Sequence, residues 1–347
     1  MTNLINIKTV FPGPNEVALR EDELPAAPPP HTVRIRTRYS LISPGTELAL
    51  LTQTHIGFSK PETHPWVRYP LYPGYAAVGE VEAVGEDVSG LAPGDAVFYM
   101  GRHELYADAD PSETPVLPIP TTAREDHLPF ARLAQIANSA CYVANVTAGN
   151  RVAVIGLGLV GNLAAQICRR HGAEVIGVDL SPARRDIAAR CGIVHAVEAE
   201  REDAIAAVKA WSNGGADVVI EATGNPALVV PALQMVRPRG QVILLGSSRG
   251  TAEIDVYTLI HRPGVVVRGA HETVLPLIAP GNDSEGLDRR TVLAQMLDWI
   301  AAGHLIIEPL HTHTVHPQEL AQAYHVLNTD KDHALGVLVD WRALAES

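Results

Sequence analysis

The sequence predicts an α/β protein in which a doubly wound parallel sheet is combined with an irregular, β-rich domain. The chain has 347 residues, which is long enough for two domains with separate cores. Its first third is rich in proline and in turn signals that separate short extended runs. From about residue 150 to residue 245, short apolar strands alternate with helical segments, which is the pattern of a parallel sheet.

The N-terminal third contains several strand patterns. Residues 33–39 (VRIRTRY) alternate between apolar and polar side chains, as a half-buried strand does. Residues 75–85 predict a strand, a turn or bulge, and a second strand. The turn at residues 90–95 leads into a further strand at residues 96–99. We therefore expect a mostly antiparallel β domain.

The middle of the chain alternates between the two kinds of element. We predict strands at residues 151–155, 174–178, 193–197, 217–222 and 241–245, and helices from the glycine run to about 171 and at 182–191, 202–211 and 226–236. Ser181–Pro182 and Asn225–Pro226 are typical of helix starts, with a capping side chain followed by proline. Gly192 is expected to end a helix.

Composition excludes several classes of partner. The net charge of −12 disfavours nucleic acid and anionic membranes, because phosphate binding needs a concentrated basic surface. No stretch approaches the roughly 18 apolar residues of a membrane span, and we expect no signal peptide. The three cysteines, Cys141, Cys168 and Cys191, form no CxxC pair, and the latter two lie in predicted helices among apolar neighbours. We expect inert buried thiols and a reducing, cytoplasmic location.

Residues 156–161 (GLGLVG) predict a dinucleotide site, because they lie between a strand and a helix. Gly156 permits a tight turn, Gly158 lets the backbone approach a pyrophosphate, and Gly161 allows close packing of the helix on the sheet. The helix N-terminus adds N–H groups and positive potential. The alternative interpretation is an ordinary α/β turn.

Asp179 predicts which cofactor is used. It ends the second strand, about 20 residues beyond the glycine run, where a carboxylate binds the hydroxyls of the adenine ribose. The same charge repels a 2′-phosphate, so NAD(H) is favoured over NADP(H). Arg184 lies one helical turn further on and could flank the ribose or serve a phosphate.

The chain resembles the medium-chain dehydrogenase/reductase superfamily, which is alcohol dehydrogenase-like. Beyond the glycine run, the matching segments are residues 93–97 (PGDAV), 146–152 (VTAGNRV), 215–224 (GADVVIEATG) and 334–339 (ALGVLV). The resemblance implies a β-rich, GroES-like catalytic domain of residues 1–132 plus 272–347, with a Rossmann domain of residues 133–271 inserted between them. It also implies a homodimer formed by strand pairing across a two-fold axis, with residues 254–257 as the candidate edge.

The same resemblance implies a set of cofactor contacts. We expect them at Gly156, Gly158, Leu159, Val160, Gly161, Asp179, Leu180, Arg184, Ala222, Thr223, Gly224, Leu245, Gly246 and Ser247.

The departures from the family concern zinc. Pro44 stands where zinc-containing members have a cysteine, and Tyr75 stands where they have a histidine. The third ligand falls near Ala131–Arg132, and no cysteine precedes residue 141 to build a four-cysteine lobe. Zinc needs three or four N, S or carboxylate ligands, so we expect no zinc. Residues 43–47 (SPGTE) and 69–75 (YPLYPGY) resemble a zinc-free branch that includes bacteriochlorophyllide hydroxyethyl dehydrogenases and relatives of sugar or glycoside dehydrogenases.

Without zinc, side chains must move the proton of the substrate hydroxyl. Thr46 matches the hydroxyl that relays this proton in the family, Glu47 follows it, and Tyr75 stands in place of the lost ligand. A packing role for Tyr75 and a structural ion pair at the domain junction for Glu47 are the alternatives. His271 suits acid/base work by its pKa but also fits a surface histidine.

Other side chains are weaker candidates. His55, Lys60, His64 and Trp66 precede the tyrosine–proline run and could line a pocket for a bulky, polyhydroxylated substrate. The C-terminal histidines are interpreted as scattered surface residues rather than a metal site, and they are His304, His311, His313, His316, His325 and His333.

These observations lead to one leading function and two alternatives. The leading function is NAD(H)-linked interconversion of a secondary alcohol and a ketone on a sugar, cyclitol or similar molecule. Quinone or enoyl reduction is common among zinc-free relatives, but these usually favour NADPH and lack an acid at the position of Asp179. A non-catalytic nucleotide-binding protein is the third interpretation, and the presence of Thr46 disfavours it.

Overall fold

The computed structural model describes residues 4–198, 203–277 and 287–344, and the chain divides into two compact units. Unit 1 comprises Met1–Arg132, Leu293–Ala302 and His311–Ser347, and unit 2 comprises Leu133–Val292 and Gly303–Leu310. Unit 2 continues past residue 271, where the sequence analysis ended the cofactor domain. An ion pair between Arg289 and Glu272 (3.4 Å) and paired hydrogen bonds between Gln166 and Ile306 (2.7 and 3.1 Å) hold these later segments to unit 2.

The elements are as follows. The strands are β1 Leu4–Val10, β2 Ala18–Leu24, β3 Val33–Leu41, β4 Ala77–Val84, β5 Ala96–Tyr99, β6 Tyr106–Ala109, β7 Val116–Pro118, β8 Arg151–Ile155, β9 Glu174–Asp179, β10 His195–Glu198, β11 Ala216–Glu221, β12 Val236–Leu244, β13 Val266–Gly269, β14 His311–Val315 and β15 Gly336–Asp340. The α-helices are α1 Pro44–Leu51, α2 Phe130–Ala144, α3 Leu159–Arg170, α4 Pro182–Arg190, α5 Ala204–Trp211, α6 Val229–Met235, α7 Arg289–Ala301 and α8 Leu320–Thr329. Short 3₁₀ turns lie at Ile56–Phe58, Glu125–His127, Pro226–Leu228, Glu272–Val274, Pro317–Glu319 and Trp341–Leu344, and Tyr257–His261 forms a π-helical turn.

Unit 1 is built on a mainly antiparallel sheet with the order β14-β15-β3-β4-β5-β7, in which β6 also pairs with β3. Residues 77–84 form one strand rather than the predicted strand, turn and strand. The pairing of β3 with β4 has two register shifts, one that skips Glu82 in β4 and one that skips Arg38 in β3. The predicted bulge therefore lies within a continuous β4. One side of the sheet packs on a core that includes Phe11, Tyr324 and Trp341.

Unit 2 contains a parallel sheet of six strands with the order β10-β9-β8-β11-β12-β13. The chain runs outward from β8 to β10, then returns to the other side of β8 and runs outward to β13. The order therefore reverses between β8 and β11, and this reversal is where open α/β sheets bind ligands. The predicted doubly wound sheet is confirmed.

The predicted helix ends in unit 2 are also confirmed. The Ser181 side chain accepts a hydrogen bond from the Arg184 amide (3.3 Å) at the start of α4, and Asn225 caps the turn at residues 226–228. Gly192 follows α4 with φ of +86°, a backbone conformation that side-chain-bearing residues rarely adopt. The helix predicted at 226–236 is a 3₁₀ turn followed by α6.

The predicted edge strand at residues 254–257 is wrong. Residues 251–255 are coil, and the Asp255 carboxylate accepts a hydrogen bond from the Thr258 amide (3.0 Å), which starts the π-helical turn instead. The strand at this end of the sheet is β13, and its residues are exposed, with Val266 at 39% and Val267 at 38%.

The cysteines are buried, as predicted. Cys141 on α2 and Cys168 on α3 face each other with sulfurs 2.9 Å apart in unit 2. Burial raises the pKa of Cys191 to about 11, so it is a thiol at neutral pH. Among the described residues, no helix combines the length and the apolar character needed to cross a membrane.

Candidate active site

The glycine run of unit 2 has the geometry that the sequence requires of each glycine. Gly156 has φ of +90°, and a Cβ there would lie 2.6 Å from the Thr223 methyl. A Cβ on Gly161 would lie 1.8 Å from the Gly156 carbonyl oxygen. Gly158, by contrast, faces open space, with nothing within 4 Å of its Cβ position. The loop is therefore closely packed at Gly156 and Gly161 and open at Gly158.

Gly158 is also the N-cap of α3 and contributes no side-chain cap. The N–H groups of a helix's first turn have no partner inside the helix, and here that turn contains Leu159, Val160 and Gly161. A helix N-terminus of this kind attracts an anionic group.

Asp179 is tied to the glycine loop. Its carboxylate is 7% exposed, and it accepts hydrogen bonds from the Leu157 amide (2.7 Å) and the Ser181 amide (2.9 Å). The Arg184 guanidinium lies 3.9 Å from the same carboxylate. Each carboxylate oxygen has more than one lone pair, so the group can still accept hydrogen bonds from a ligand. Leu180, the next residue, is 57% exposed.

The other predicted cofactor residues follow β11 and β12 at the same edge of the sheet. The fully buried Glu221 carboxylate accepts hydrogen bonds from the Thr223 amide (2.7 Å) and the Gly224 amide (3.1 Å). A Cβ on Gly246 would lie 2.2 Å from the Gly224 nitrogen. The loops containing Ala222–Gly224 and Leu245–Ser247 are therefore in close contact. Sequence analysis missed Glu221, although an acid at the end of an apolar strand was a visible signal.

Three hydroxyl-bearing side chains converge in unit 1. The Tyr75 hydroxyl donates a hydrogen bond to the Ser43 side chain, and the nearby Thr46 side chain lowers the pKa of Tyr75. Ser43 precedes α1 and Thr46 lies in its first turn, whereas Tyr75 immediately precedes the run into β4. The predicted pair of Thr46 and Tyr75 is thus brought together, and Ser43 is an addition that the sequence analysis did not single out.

A buried cation completes this cluster. Arg132, on the first turn of α2, is 3% exposed, and its guanidinium carbon lies 5.1 Å from the centre of the Tyr75 ring. Burial raises the pKa of Tyr75, the nearby Glu47 charge raises it further, and the Ser43 and Thr46 hydrogen bonds and the Arg132 charge oppose the rise. Tyr75 is therefore a neutral phenol at neutral pH, in surroundings whose charges and hydrogen bonds tune its acidity.

Glu47 is buried behind the hydroxyl cluster, at 1% exposure. It accepts hydrogen bonds from the Ser43 amide (2.9 Å) and the Tyr324 hydroxyl (2.5 Å), and it lies 3.0 Å from a ring nitrogen of His103. The expected ion pair at the domain junction is instead a contact with His103 in the interior of unit 1. Burial and the Glu47 charge raise the pKa of Tyr324.

His271 belongs to unit 2 and is exposed. Its Nδ1 accepts a hydrogen bond from the Thr273 amide (3.3 Å) and lies 2.9 Å from the Thr273 hydroxyl. The ring therefore caps the turn at residues 272–274, which is the structural role open to it.

The histidines near the C-terminus were interpreted as scattered surface residues, and His311 is an exception. It meets Asp126 and His127 in unit 1, where one ligand atom from each of the three lies within 4.8 Å of the others. The Arg124 guanidinium already holds the Asp126 carboxylate (2.7 and 3.2 Å), and the other His311 nitrogen lies 2.8 Å from the Thr314 hydroxyl. The contacts that Asp126 and His311 already make are those of an ion-pair network.

The loop that precedes the tyrosine–proline run presents aromatic rings. His55 lies edge-on to His64 and to Trp66, with ring centres 5.7 and 5.5 Å apart, and Trp66 is 54% exposed. Lys60 is also exposed.

Comparison with known proteins decides the family. The model of the alcohol dehydrogenase GroES-like domain matches residues 29–113, and that of the zinc-binding dehydrogenase matches residues 160–274. The chain belongs to the medium-chain dehydrogenase/reductase superfamily. The predicted alcohol dehydrogenase-like family is thus confirmed, and membership makes the chain an oxidoreductase.

Among the relatives of this superfamily member is the 2-desacetyl-2-hydroxyethyl bacteriochlorophyllide A dehydrogenase of Cereibacter sphaeroides, which is 26% identical over 97% of this chain and 98% of its own length. The sorbitol dehydrogenase of Bacillus subtilis is 27% identical over 52% of this chain and 60% of its own. In fold, the chain is similar to an Escherichia coli oxidoreductase of unknown specificity, with a TM-score of 0.82, 20% identity, and coverage of 97% and 99% of the two chains.

The residues at the superfamily's zinc positions do not fit a zinc ion. Pro44 offers no ligand atom, the Tyr75 hydroxyl is hydrogen-bonded to Ser43, and the third position carries the Arg132 guanidinium, which is itself a cation. A second cation placed against this buried guanidinium would be repelled.

Proposed function

We propose that the chain is an NAD(H)-dependent, zinc-independent dehydrogenase that interconverts a secondary alcohol and a ketone on a sugar, cyclitol or similar hydroxylated molecule. The observation that carries the proposal is the cluster of Ser43, Thr46 and Tyr75 beside the buried Arg132. It supplies hydroxyl groups that can move a proton, in the place where zinc-containing relatives have metal ligands.

The proton of the substrate hydroxyl passes through these side chains. Thr46 accepts it while handing its own proton to the phenolate form of Tyr75, so that the substrate oxygen becomes the carbonyl oxygen of the ketone. A bound NAD would supply the acceptor for the hydride that leaves the substrate carbon. In the reverse direction Tyr75 returns the proton. Glu47, held by His103 and Tyr324, fixes the start of α1 and therefore the placement of Thr46.

The cofactor preference rests on Asp179. Its carboxylate is fixed at the glycine loop by the Leu157 and Ser181 amides, where it can accept both ribose hydroxyls and repel a 2′-phosphate. Gly158 leaves the open space that a pyrophosphate needs. The Arg184 side chain, paired with Asp179, flanks the ribose rather than serving a phosphate.

The substrate class is supported by the aromatic loop. Trp66, with His55 against it and His64 against His55, offers an exposed ring on which the C–H face of a sugar ring can pack. The similarity to a sorbitol dehydrogenase is in line with a polyhydroxylated substrate. We further propose a homodimer formed through β13 and, from the three buried thiols, a cytoplasmic location.

An assay of hydride transfer tests the proposal. The protein is given NAD or NADP with polyols, glycosides and cyclitols, and NADH or NADPH with quinones and enones. We expect NAD-linked oxidation of at least one polyol or glycoside. Turnover confined to quinones or enones with NADPH would make the chain a reductase of the alternative type, and cofactor binding without any turnover would support the non-catalytic interpretation.

A further inference from the structure

Arg132 carries a guanidinium that is buried in unit 1. It is 3% exposed, yet a buried charge needs hydrogen bonds, an opposite charge or a π face to offset the loss of water. The Tyr75 ring, 5.1 Å from the guanidinium carbon, provides the π face. The guanidinium is thus held next to a side chain that the proposed mechanism uses.

Among the described residues, Arg132 and Glu47 are charges of opposite sign that act on Tyr75. Glu47 is occupied by the Ser43 amide, His103 and Tyr324, so its charge is already neutralised in part by donors on its own side. Arg132 acts on Tyr75 from α2, without an intervening group in its contact with the ring. Burial is the largest influence on the pKa of Tyr75, and these two charges act on it in opposite directions, with Arg132 lowering it and Glu47 raising it.

We propose that Arg132 supplies to Tyr75 the fixed positive charge that zinc supplies to the substrate oxygen in other superfamily members. The inference rests on the proposed function, because it concerns the same proton transfer. Arg132 acts through Tyr75 and is a positioning residue, whereas Tyr75 is the group that takes the proton.

The proton and the hydride are both accounted for by the substrate, Thr46, Tyr75 and a bound NAD. In alcohol oxidation the substrate O–H bond breaks, its proton moves through the Thr46 hydroxyl to the Tyr75 phenolate, and the C–H bonding pair leaves as hydride to the nicotinamide. The phenolate is regenerated when Tyr75 loses its proton to solvent. The negative charge therefore lies on the Tyr75 oxygen before the transfer, and the Arg132 charge favours that form.

The direction of the pH effect follows. Burial raises the pKa of Tyr75 and Arg132 lowers it. Removing the Arg132 charge should raise that pKa further, so the rise of oxidation rate with pH should move to higher pH. A guanidinium beside an ionisable group typically shifts its pKa by about 1–3 units, and we expect a displacement of at least about 1 unit.

The pH dependence of kcat for alcohol oxidation is the first test, in wild type, Arg132→Gln, Arg132→Lys and the control Arg124→Gln. The control Arg124→Gln also removes one positive charge from unit 1, but this guanidinium pairs with Asp126. We expect the ascending limb to move upward in Arg132→Gln, to move little in Arg132→Lys, and to stay in place in Arg124→Gln. An unmoved limb in Arg132→Gln would overturn the proposal.

A second readout does not depend on turnover. Tyrosinate absorbance is titrated in wild type and in Tyr75→Phe, and the difference isolates Tyr75. The same difference is taken in the Arg132→Lys background, which keeps the charge, and in the Arg132→Gln background. We expect Tyr75 to titrate at higher pH only in Arg132→Gln, and equal titration in all backgrounds would contradict the inference.

The outcomes of the two tests separate the two proposals. If the wild type transfers no hydride with any substrate, the proposed function fails, while the Tyr75 titration still decides the role of Arg132. If Arg132→Gln does not fold, Arg132→Met replaces it, because it keeps a long unbranched side chain and removes the charge. We expect the pKa of Tyr75 to be higher in Arg132→Met than in Arg132→Lys, and equal pKa values in the two variants would overturn the proposal.

Discussion

Thr46 and Tyr75 are far apart in the chain, yet in the structure Thr46 lies close enough to lower the pKa of Tyr75. The helix α1 places Thr46, and the segment leading into β4 places Tyr75. A hydroxyl that hands on a proton must both donate and accept, which threonine, serine and tyrosine can do. The two residues are therefore the ones whose substitution reports on the proposed proton transfer.

We expect Thr46→Ala to lower the rate of hydride transfer by about 10²–10⁴-fold, the usual loss when a positioned proton-transfer group is removed. NADH affinity should change little, and Thr46→Ser should retain most of the activity because it keeps the hydroxyl. Tyr75→Phe should lose activity to a similar extent. Single-turnover kinetics and NADH titration make the comparison.

His271→Ala is the third variant of that series. Its ring caps the turn at residues 272–274, so we expect near-normal turnover. If His271→Ala lost its activity while Thr46→Ala and Tyr75→Phe turned over normally, the role of proton carrier would belong to His271.

Asp179 is expected to set the cofactor preference. NADH should bind at least about tenfold tighter than NADPH, or ~1.4 kcal/mol, and Asp179→Ser should narrow the gap by removing the charge that repels the 2′-phosphate. Asp186→Ser, an exposed position on the next helix, is the matched control and should leave the ratio unchanged. Fluorescence titration with both cofactors measures it, and tighter NADPH binding by the wild type would refute the assignment.

At the residue scale, sequence reasoning found what short motifs encode. The glycine run, Asp179 and Thr46 are recognised by their place relative to a strand or within a family segment. Glu47 and Tyr324 were not connected, because 277 residues separate them and only the folded chain brings them together. In the sequence, Arg132 stood out only as a residue that cannot bind zinc. Its contact with Tyr75 depends on the packing of α2, which the sequence does not show.

The start of α3 shows at the scale of an element how one turn can combine packing with binding. Gly161 is pressed against the Gly156 carbonyl, whereas Gly158 faces open space. The two glycines are therefore needed for different reasons, and an alanine substitution at each position distinguishes these reasons.

Gly161→Ala should destabilise unit 2, because the methyl would overlap a backbone oxygen 1.8 Å away. Overpacking of this kind costs about 1–3 kcal/mol. Gly158→Ala should leave stability nearly unchanged, since its φ of −63° suits alanine, and it should weaken NADH binding if the pyrophosphate occupies the open space. Thermal unfolding and NADH titration measure the two effects. Full NADH affinity in Gly158→Ala would argue against this loop as the pyrophosphate site.

Elements with strong periodicity or capping signals were predicted well, and the failures lie where those signals are absent. The strands β8, β9 and β11 are short, apolar runs next to glycine or proline, and they formed close to the predicted residues. Residues 254–257 have strand-forming side chains, but Asp255 caps a helical turn there instead. Local side-chain hydrogen bonds compete with strand pairing, and such competition is not visible in a hydrophobic pattern.

At the scale of the molecule, β13 is the strand from which assembly can proceed. Its exposed backbone groups and the half-exposed Val266 and Val267 form a pairing edge. We expect a dimer by light scattering at micromolar concentration, and Val267→Lys should shift it towards monomer. Val194→Lys, an exposed valine outside β13, is the control and should stay dimeric. A monomeric wild type would refute the assembly.

Metal content is also a property of the whole molecule, and the residues that the structure describes offer two places to look. The superfamily's zinc positions carry Pro44, Tyr75 and Arg132 instead of ligands, while Asp126, His127 and His311 form the cluster described above. Any metal that copurifies should therefore disappear in His311→Gln, and its removal should leave catalysis intact. A metal retained in His311→Gln would point back to the region of residues 44–135.

The activity of metal-stripped protein tests the central claim most directly. The protein is washed with a strong chelator, its zinc content is determined by elemental analysis, and NAD-linked alcohol oxidation is measured on the same sample. We predict far less than one zinc per chain and an unchanged rate, because Thr46, Tyr75 and Arg132 perform the proton chemistry without a metal. Loss of activity on chelation, with recovery when Zn²⁺ alone is returned, would contradict this account.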